Sequence, residues 1–210
     1  MGLPVLVIGK SGSGKSSSLR TVAGNDNFNV INVLGKPFPF KNSKAVKSGI
    51  TDQYEQVYKW LRQFPGKSIV IDDAGYLITN MFMRGHSNAG AGNAVFAFYN
   101  KLGDQFWSLI EYVKTNLPDD KIVYFFMHED TDDFGNIKPK TIGKLLDEKA
   151  CIEGMFTIVI RCAVRNGKHV FLTQSTENDV AKTPMEMFEE VEIDNDLKFV
   201  DDTIRAYYEF

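Results

Sequence analysis

The chain has 210 residues, 43% of them hydrophobic, with a formal net charge of −3 and two cysteines, which suits one α/β domain with a large core and a small appendage. No apolar run reaches about 18 residues, so nothing reads as a membrane span. Cys151 and Cys162 form no close pair and have no His cluster nearby, which argues against a disulfide scaffold or a zinc site. The opening MGLPVLVIGKSG lacks a basic signal-peptide start, so a cytoplasmic location is expected.

The first apolar run, Pro4 to Ile8, reads as a strand, and the stretch from Ser16 to Val22 can start a helix. Between them lies GKSGSGKS, whose spacing fits a P-loop. Gly9, Gly12 and Gly14 let the backbone turn so that N–H groups converge on an anion. Lys10, Ser11, Ser13 and Ser17 complete the expected ATP-binding set. Lys15 can place its charge on the β- and γ-phosphates, and the Ser16 hydroxyl can join the shell of a Mg²⁺.

Phe28 to Leu34 reads as a second strand, followed by the loop GKPFPFKNSKAVKSG. That loop holds Lys36, Lys41, Lys44, Lys47, Phe38 and Phe40 without one acid, a mixture able to hold a phosphate backbone and stack bases. Single-stranded DNA is therefore a candidate partner, with ordinary loop packing as the alternative. TDQYEQVYKWLRQF predicts a helix with Thr51 as N-cap and Tyr54, Val57, Tyr58 and Leu61 at helical spacing.

SIVIDDAG predicts a third strand with Asp72 at its C-terminal end, where ligands bind in open α/β sheets. Asp72 reads as the second Mg²⁺ residue and Asp73 as the group that orients or deprotonates water. GHSNAGAGN, with Arg84 beside it, reads as a mobile loop and a second possible DNA contact. The recurrence of Val95, Phe98, Leu102, Phe106, Leu109 and Val113 predicts a long helix to about Lys114.

KIVYFFMH predicts a central strand covered on both faces. His128 at its end is a candidate γ-phosphate sensor, and Glu129 rivals Asp73 for the water. A positive charge supplied by a neighbouring subunit would stabilise the transition state; Arg84, Lys140, Arg161 and Lys182 are candidates, with Lys138 and Lys144 nearby. Asn166-Gly167 between two β-rich runs predicts an antiparallel hairpin. Residues 186–210 hold nine acids against only Lys198 and Arg205, and end in an amphipathic run that predicts a helix on the body or a neighbouring subunit.

GKSGSGKS, VIDDAG, FFMHED, KPKTIGKLLDEK, the hairpin and AKTPMEMF together resemble the small phage-encoded P-loop ATPases with a RecA-like or AAA-like core, including the Sak-type recombination group. The resemblance spans most of residues 1–190. It implies a three-layer, mostly parallel sheet with the sensor strand between the P-loop strand and the third strand, and ATP hydrolysis coupled to DNA. RecA-like members carry a catalytic glutamate after the second strand; here that position reads LGKPFPFK. The acid role then falls to Asp73 or Glu129, an arrangement closer to AAA proteins.

The expected organisation is an ATPase core over residues 1–185 and an acidic segment over 186–210. The expected function is a Mg²⁺-dependent ATPase, working as a homo-oligomer on or with single-stranded DNA in phage recombination or replication, in the host cytoplasm. A nucleotide-gated interaction module with little hydrolysis is the alternative, and a small-molecule kinase a further one.

Overall fold

The computed structural model describes residues 1–90, 92–142, 150–176 and 178–210. The strands are β1 (Leu3–Gly9), β2 (Phe28–Asn32), β3 (Ser48–Ile50), β4 (Ser68–Asp72), β5 (Ile122–Thr131), β6 (Ile137–Pro139), β7 (Ile158–Arg165), β8 (Lys168–Leu172) and β9 (Glu192–Asp194). The sheet has the order β3-β2-β4-β5-β1-β7-β8-β9, with β6 paired to β5 off this path. All pairings from β3 across to β7 are parallel. The last two, β7 with β8 and β8 with β9, are antiparallel. β5 therefore sits between β1 and β4, the order implied by the resemblance.

Alternate residues of each central strand feed two separate cores, as strand geometry requires. Leu6, Ile8, Ile69, Ile71, Phe125 and Met127 face a layer made of α1 (Tyr54–Gln63), α2 (Gly75–Gly85) and α3 (Asn93–Asn116). Val5, Val7, Val70, Tyr124 and Phe126 face Leu19 and Val22 of the segment after the P-loop, and Leu197, Val200 and Ile204 of α4 (Leu197–Tyr208). Ile122 to Met127 are all fully buried. Each such side chain contributes about 1.5–3 kcal/mol by leaving water, which is why β5 anchors the sheet.

The acidic C-terminal residues enter this architecture rather than hanging from it. β9 extends the sheet, and α4 opens with Asp196 accepting a hydrogen bond from the Phe199 N–H as N-cap. Buried Asp201 then accepts from Ser68 Oγ at 2.6 Å and from Tyr124 Oη at 2.8 Å, and Arg205 Nε donates to its other oxygen at 2.8 Å.

Local chemistry moved several boundaries. Ser16–Val22 is a 3₁₀ segment; Ser18 Oγ and Thr21 Oγ1 bond carbonyls three residues back, which competes with regular α-helix geometry. Thr51 does not cap α1: its hydroxyl accepts from the Gln53 N–H in a turn, and the helix begins at Tyr54. β5 runs on to Thr131, because an Asp132-centred turn folds β6 back on it. α2, unforeseen in the sequence, occupies GYLITNMFMRG. Among the described residues no helix is long and apolar enough to cross a membrane. Lys144 lies outside the described residues.

Candidate nucleotide site

The C-terminal ends of β1, β4 and β5 meet at the P-loop. Gly12 and Gly14 take positive φ angles of 76° and 111°, conformations open to glycine at little cost. At Gly9 a Cβ would lie 2.5 Å from both the Cys162 carbonyl and Ser13 Oγ, so only glycine lets β1 leave the sheet here. Lys15 is buried and donates to the carbonyls of Gly9 at 2.6 Å and Lys10 at 3.0 Å. Burial lowers its pKa, an effect that the nearby thiol and carboxylates partly offset.

Ser16 Oγ donates to Asp72 Oδ1 at 2.8 Å. Burial and the adjacent Asp73 charge push the Asp72 carboxyl up to about 6, against the Ser16 hydrogen bond. A hydroxyl bonded to a buried carboxylate, whose crowded negative charge Ser16, Lys36 and Lys15 offset only in part, forms a fitting oxygen donor set for Mg²⁺. Ser13 Oγ is buried without a hydrogen-bond partner at the same loop. Among the described residues no three His, Cys, Asp or Glu side chains cluster as a metal site. Ser16 and Asp72 are thus the residues that would hold the ion, the rest of its shell coming from phosphate and water.

Asp73 follows β4 with φ at 61°, a left-handed angle rare outside glycine. That turn aims its buried carboxylate at a cavity of about 110 Å³ shared with Ser11, Gly12, Gly14, Lys15, Ser16, Ser17, Lys36 and His128. Lys36 Nζ lies 2.7 Å from Asp73 Oδ2, and His128 Nε2 lies 3.4 Å from Oδ1. Burial pushes the Asp73 carboxyl up, but the His128 and Lys36 contacts outweigh it and hold the pKa below the usual carboxylate value. His128 also stands edge-on to Tyr76 of α2, with ring centroids 5.9 Å apart.

Glu129 is differently placed. Its two oxygens accept from Arg161 Nε at 2.9 Å and Nη2 at 3.1 Å. Arg161 Nη1 lies a further 3.5 Å from Asp179 Oδ2, an ion pair without a formal hydrogen bond. With Lys10, Ser11, Gly12 and Ser13, Glu129 and Arg161 line a neighbouring cavity of about 450 Å³. Arg161 is thus engaged within its own chain, where the sequence suggested a group offered to a neighbour. Lys140 is exposed, its backbone N–H bonded to the His128 carbonyl at 2.7 Å. Lys182 is half-exposed and pairs through its backbone with Val159.

The proposed DNA residues separate. Lys36 joins the nucleotide cavity, and Arg84 pairs with Asp52. Phe38 and Phe40 stack on each other, centroids 6.0 Å apart, and pack half-buried against the second core. Lys41 and Lys44 are exposed and share a groove with Arg20.

Three props under the P-loop had no signature in the sequence. Cys162 Sγ donates to the Ser13 carbonyl at 3.1 Å, His169 Nδ1 to the same oxygen at 2.8 Å, and Asn195 Nδ2 to the Gly14 carbonyl at 3.3 Å. They come from β7, β8 and the turn after β9, so the C-terminal strands set the loop's position. A larger cavity of about 740 Å³ lies between β9 and α4, lined by Glu189, Glu190, Glu192, Asp194 and Asp196. Its uniform negative charge suits no phosphate.

A search among curated proteins finds no match. A family model described as AAA domain matches residues 1–185, which include every residue of the cavity around Lys15. With the P-loop, the Ser16–Asp72 contact and β5 between β1 and β4 in place, the chain belongs to the AAA domain family.

Proposed function

We propose that the protein is a Mg²⁺-dependent ATPase that acts on or with single-stranded DNA, as a homo-oligomer, in phage recombination or replication. The observation that carries the ATPase reading is the convergence of Lys15, Ser16 and the out-turned Asp73 on one cavity, with Asp72 bonded to Ser16 behind it. In this reading the P-loop N–H groups and Lys15 hold the phosphates, and Lys15 exchanges its bonds to Gly9 and Lys10 for phosphate oxygen. Ser16 and Asp72 would hold a Mg²⁺, which would supply positive charge to offset the charge developing on the phosphates.

Asp73 orients a water whose oxygen attacks the γ-phosphorus, while the bond to the β–γ bridging oxygen breaks and its electron pair leaves with ADP. The water proton passes to the Asp73 carboxylate. His128, in contact with Asp73, relays the state of the γ-phosphate to β6 through the Lys140 N–H bond to its carbonyl. DNA contact is assigned to exposed Lys41 and Lys44 beside Arg20, and a trans-acting charge to Lys140 or Lys182.

The test is steady-state ATP hydrolysis with Mg²⁺, with and without single-stranded DNA, beside a Lys15→Ala control. DNA-stimulated turnover lost in Lys15→Ala supports the reading; absence of turnover under both conditions refutes it. A second reading, a nucleotide-gated interaction module, draws support from the engagement of both acids: Glu129 by Arg161, Asp73 by Lys36. Tight ATP binding with negligible hydrolysis, indifferent to DNA, would select it.

A further inference from the structure

Both oxygens of Asp73 are occupied, Oδ2 by Lys36 and Oδ1 by His128. Each oxygen keeps a second lone pair, but the ammonium 2.7 Å from Oδ2 lines the same cavity and competes with a water for the carboxylate. A water is held better once one of these partners leaves, and the surroundings single out Lys36. Its side chain is 60% exposed, whereas that of His128 is 25% exposed and stands edge-on to Tyr76. Its backbone is fixed: Gly35 turns the chain at φ 65°, and Asn32 Nδ2 donates to the Lys36 carbonyl at 2.7 Å. An exposed ammonium on a fixed pivot lines the same cavity as Lys15 and Ser16.

An incoming terminal phosphate carries more negative charge than one carboxylate and offers three acceptor oxygens. We propose that Lys36 is the γ-phosphate-reading cation of this site: it rests on Asp73 Oδ2, transfers to the γ-phosphate of a bound nucleoside triphosphate, and thereby releases Asp73 to orient the attacking water. The proposal rests on the ATPase reading above. With a diphosphate no such anion arrives, Lys36 stays on Asp73, and the site remains at rest. Activation of the acid is thus coupled to the presence of the phosphate to be cleaved, by a charge supplied from the same chain. The lysine stands just after β2, where the sequence offers no acid.

Binding separates this role from a structural one. Lys36→Met and Asp73→Asn are titrated, in Mg²⁺, with ADP and with a non-hydrolysable ATP analogue. Lys36→Met is expected to weaken the analogue about tenfold or more while leaving ADP within about twofold. Its ATP turnover should fall about 100-fold, partly restored in Lys36→Arg. Asp73→Asn should act oppositely on binding, tightening the analogue several-fold because Lys36 no longer has to leave a carboxylate. Equal changes for the two nucleotides in Lys36→Met, or no change for either, would overturn the proposal even if wild type hydrolyses ATP. A wild-type chain that binds neither nucleotide would sink the ATPase reading itself, and the role of Lys36 with it.

Discussion

Arg161 and Glu129 meet over the exit of β1, Nε to Oε2 at 2.9 Å and Nη2 to Oε1 at 3.1 Å, from the two strands that flank it. The fork holds β5 and β7 together where Gly9 leaves the sheet, so it braces the P-loop from beneath. Glu129 thereby becomes a poor candidate for the water-activating acid. Glu129→Gln should cost about 1–3 kcal/mol of stability, since Arg161 keeps only Asp179 as a charged partner, and should lower kcat less than about tenfold. Asp73→Asn should leave stability nearly intact and lower kcat by about 100-fold or more. Urea melts and ATPase rates on both variants decide it: equal kcat losses would remove Asp73 from its proposed role.

Gly14 and His169 give a second prediction. A Cβ on Gly14 would stand 2.7–2.8 Å from the His169 ring, and φ there is 111°. Gly14→Ala carries two penalties, backbone strain of about 1–3 kcal/mol and displacement of the imidazole that props Ser13. Adding His169→Ala should relieve the ring's share of the clash, leaving the residue 169 Cβ at 2.8 Å and the backbone part. The double variant is therefore expected to be less destabilised than the sum of the singles, in thermal melts with and without nucleotide. Strict additivity would mean that the ring yields freely.

This pair also marks the boundary of what the sequence conveyed. The P-loop, Asp72 at a strand end and the Asn166-Gly167 hairpin were legible because each is set by a few adjacent residues; Asn166 and Gly167 take the φ angles of 51° and 76° that such a turn demands. The Lys36–Asp73 pair was not legible. It joins residues 36 and 73 through the adjacency of β2 and β4, and a lysine in a loop rich in lysine reads first as a nucleic-acid contact. His169, Cys162 and Asn195 reach the P-loop only through the register of β7, β8 and β9, which no local pattern states. α2 was hidden because its apolar residues Leu77, Ile78, Met81 and Phe82 directly follow a buried strand.

Asp201 ties α4 to the middle of the sheet, since Ser68 belongs to β4 and Tyr124 to β5. Asp201→Ala would leave the buried Tyr124 hydroxyl without its acceptor and Arg205 without its carboxylate. The expected loss is about 2–4 kcal/mol. Tyr124→Phe removes one donor while Ser68 and Arg205 still satisfy the carboxylate, so about 1 kcal/mol is expected. A truncation that removes α4 should fold poorly, because Leu197, Val200 and Ile204 cover Val5, Val7 and Tyr124. Denaturation midpoints of the two point variants provide the comparison, and a larger loss in Tyr124→Phe would show that Asp201 is not the organising group.

The Asp52–Arg84 pair joins the N-terminal side of α1 to the last turn of α2, and it predicts a pH dependence. Burial pushes the Asp52 carboxyl up, but hydrogen bonds from Arg84, Asn80 and Gln53 outweigh it and place the pKa below its ordinary value of 3.8. A pKa lower in the folded than in the unfolded chain means that the stabilisation is complete above the unfolded value. It is lost as pH falls through the folded one. Arg84 is half-exposed, so solvent screening limits its share to about 1 kcal/mol or less. Arg84→Met should therefore lower the urea midpoint at about pH 6 and converge with wild type near about pH 2–3. With its guanidinium engaged by Asp52, Arg84 should also contribute little to DNA affinity. A Lys41→Ala/Lys44→Ala variant should flatten the salt dependence of DNA binding by about one to two ions, and Arg84→Met should not. If Arg84→Met weakened DNA binding while the midpoint at about pH 6 stayed unchanged, the arginine would belong to the DNA surface instead of the helix pair.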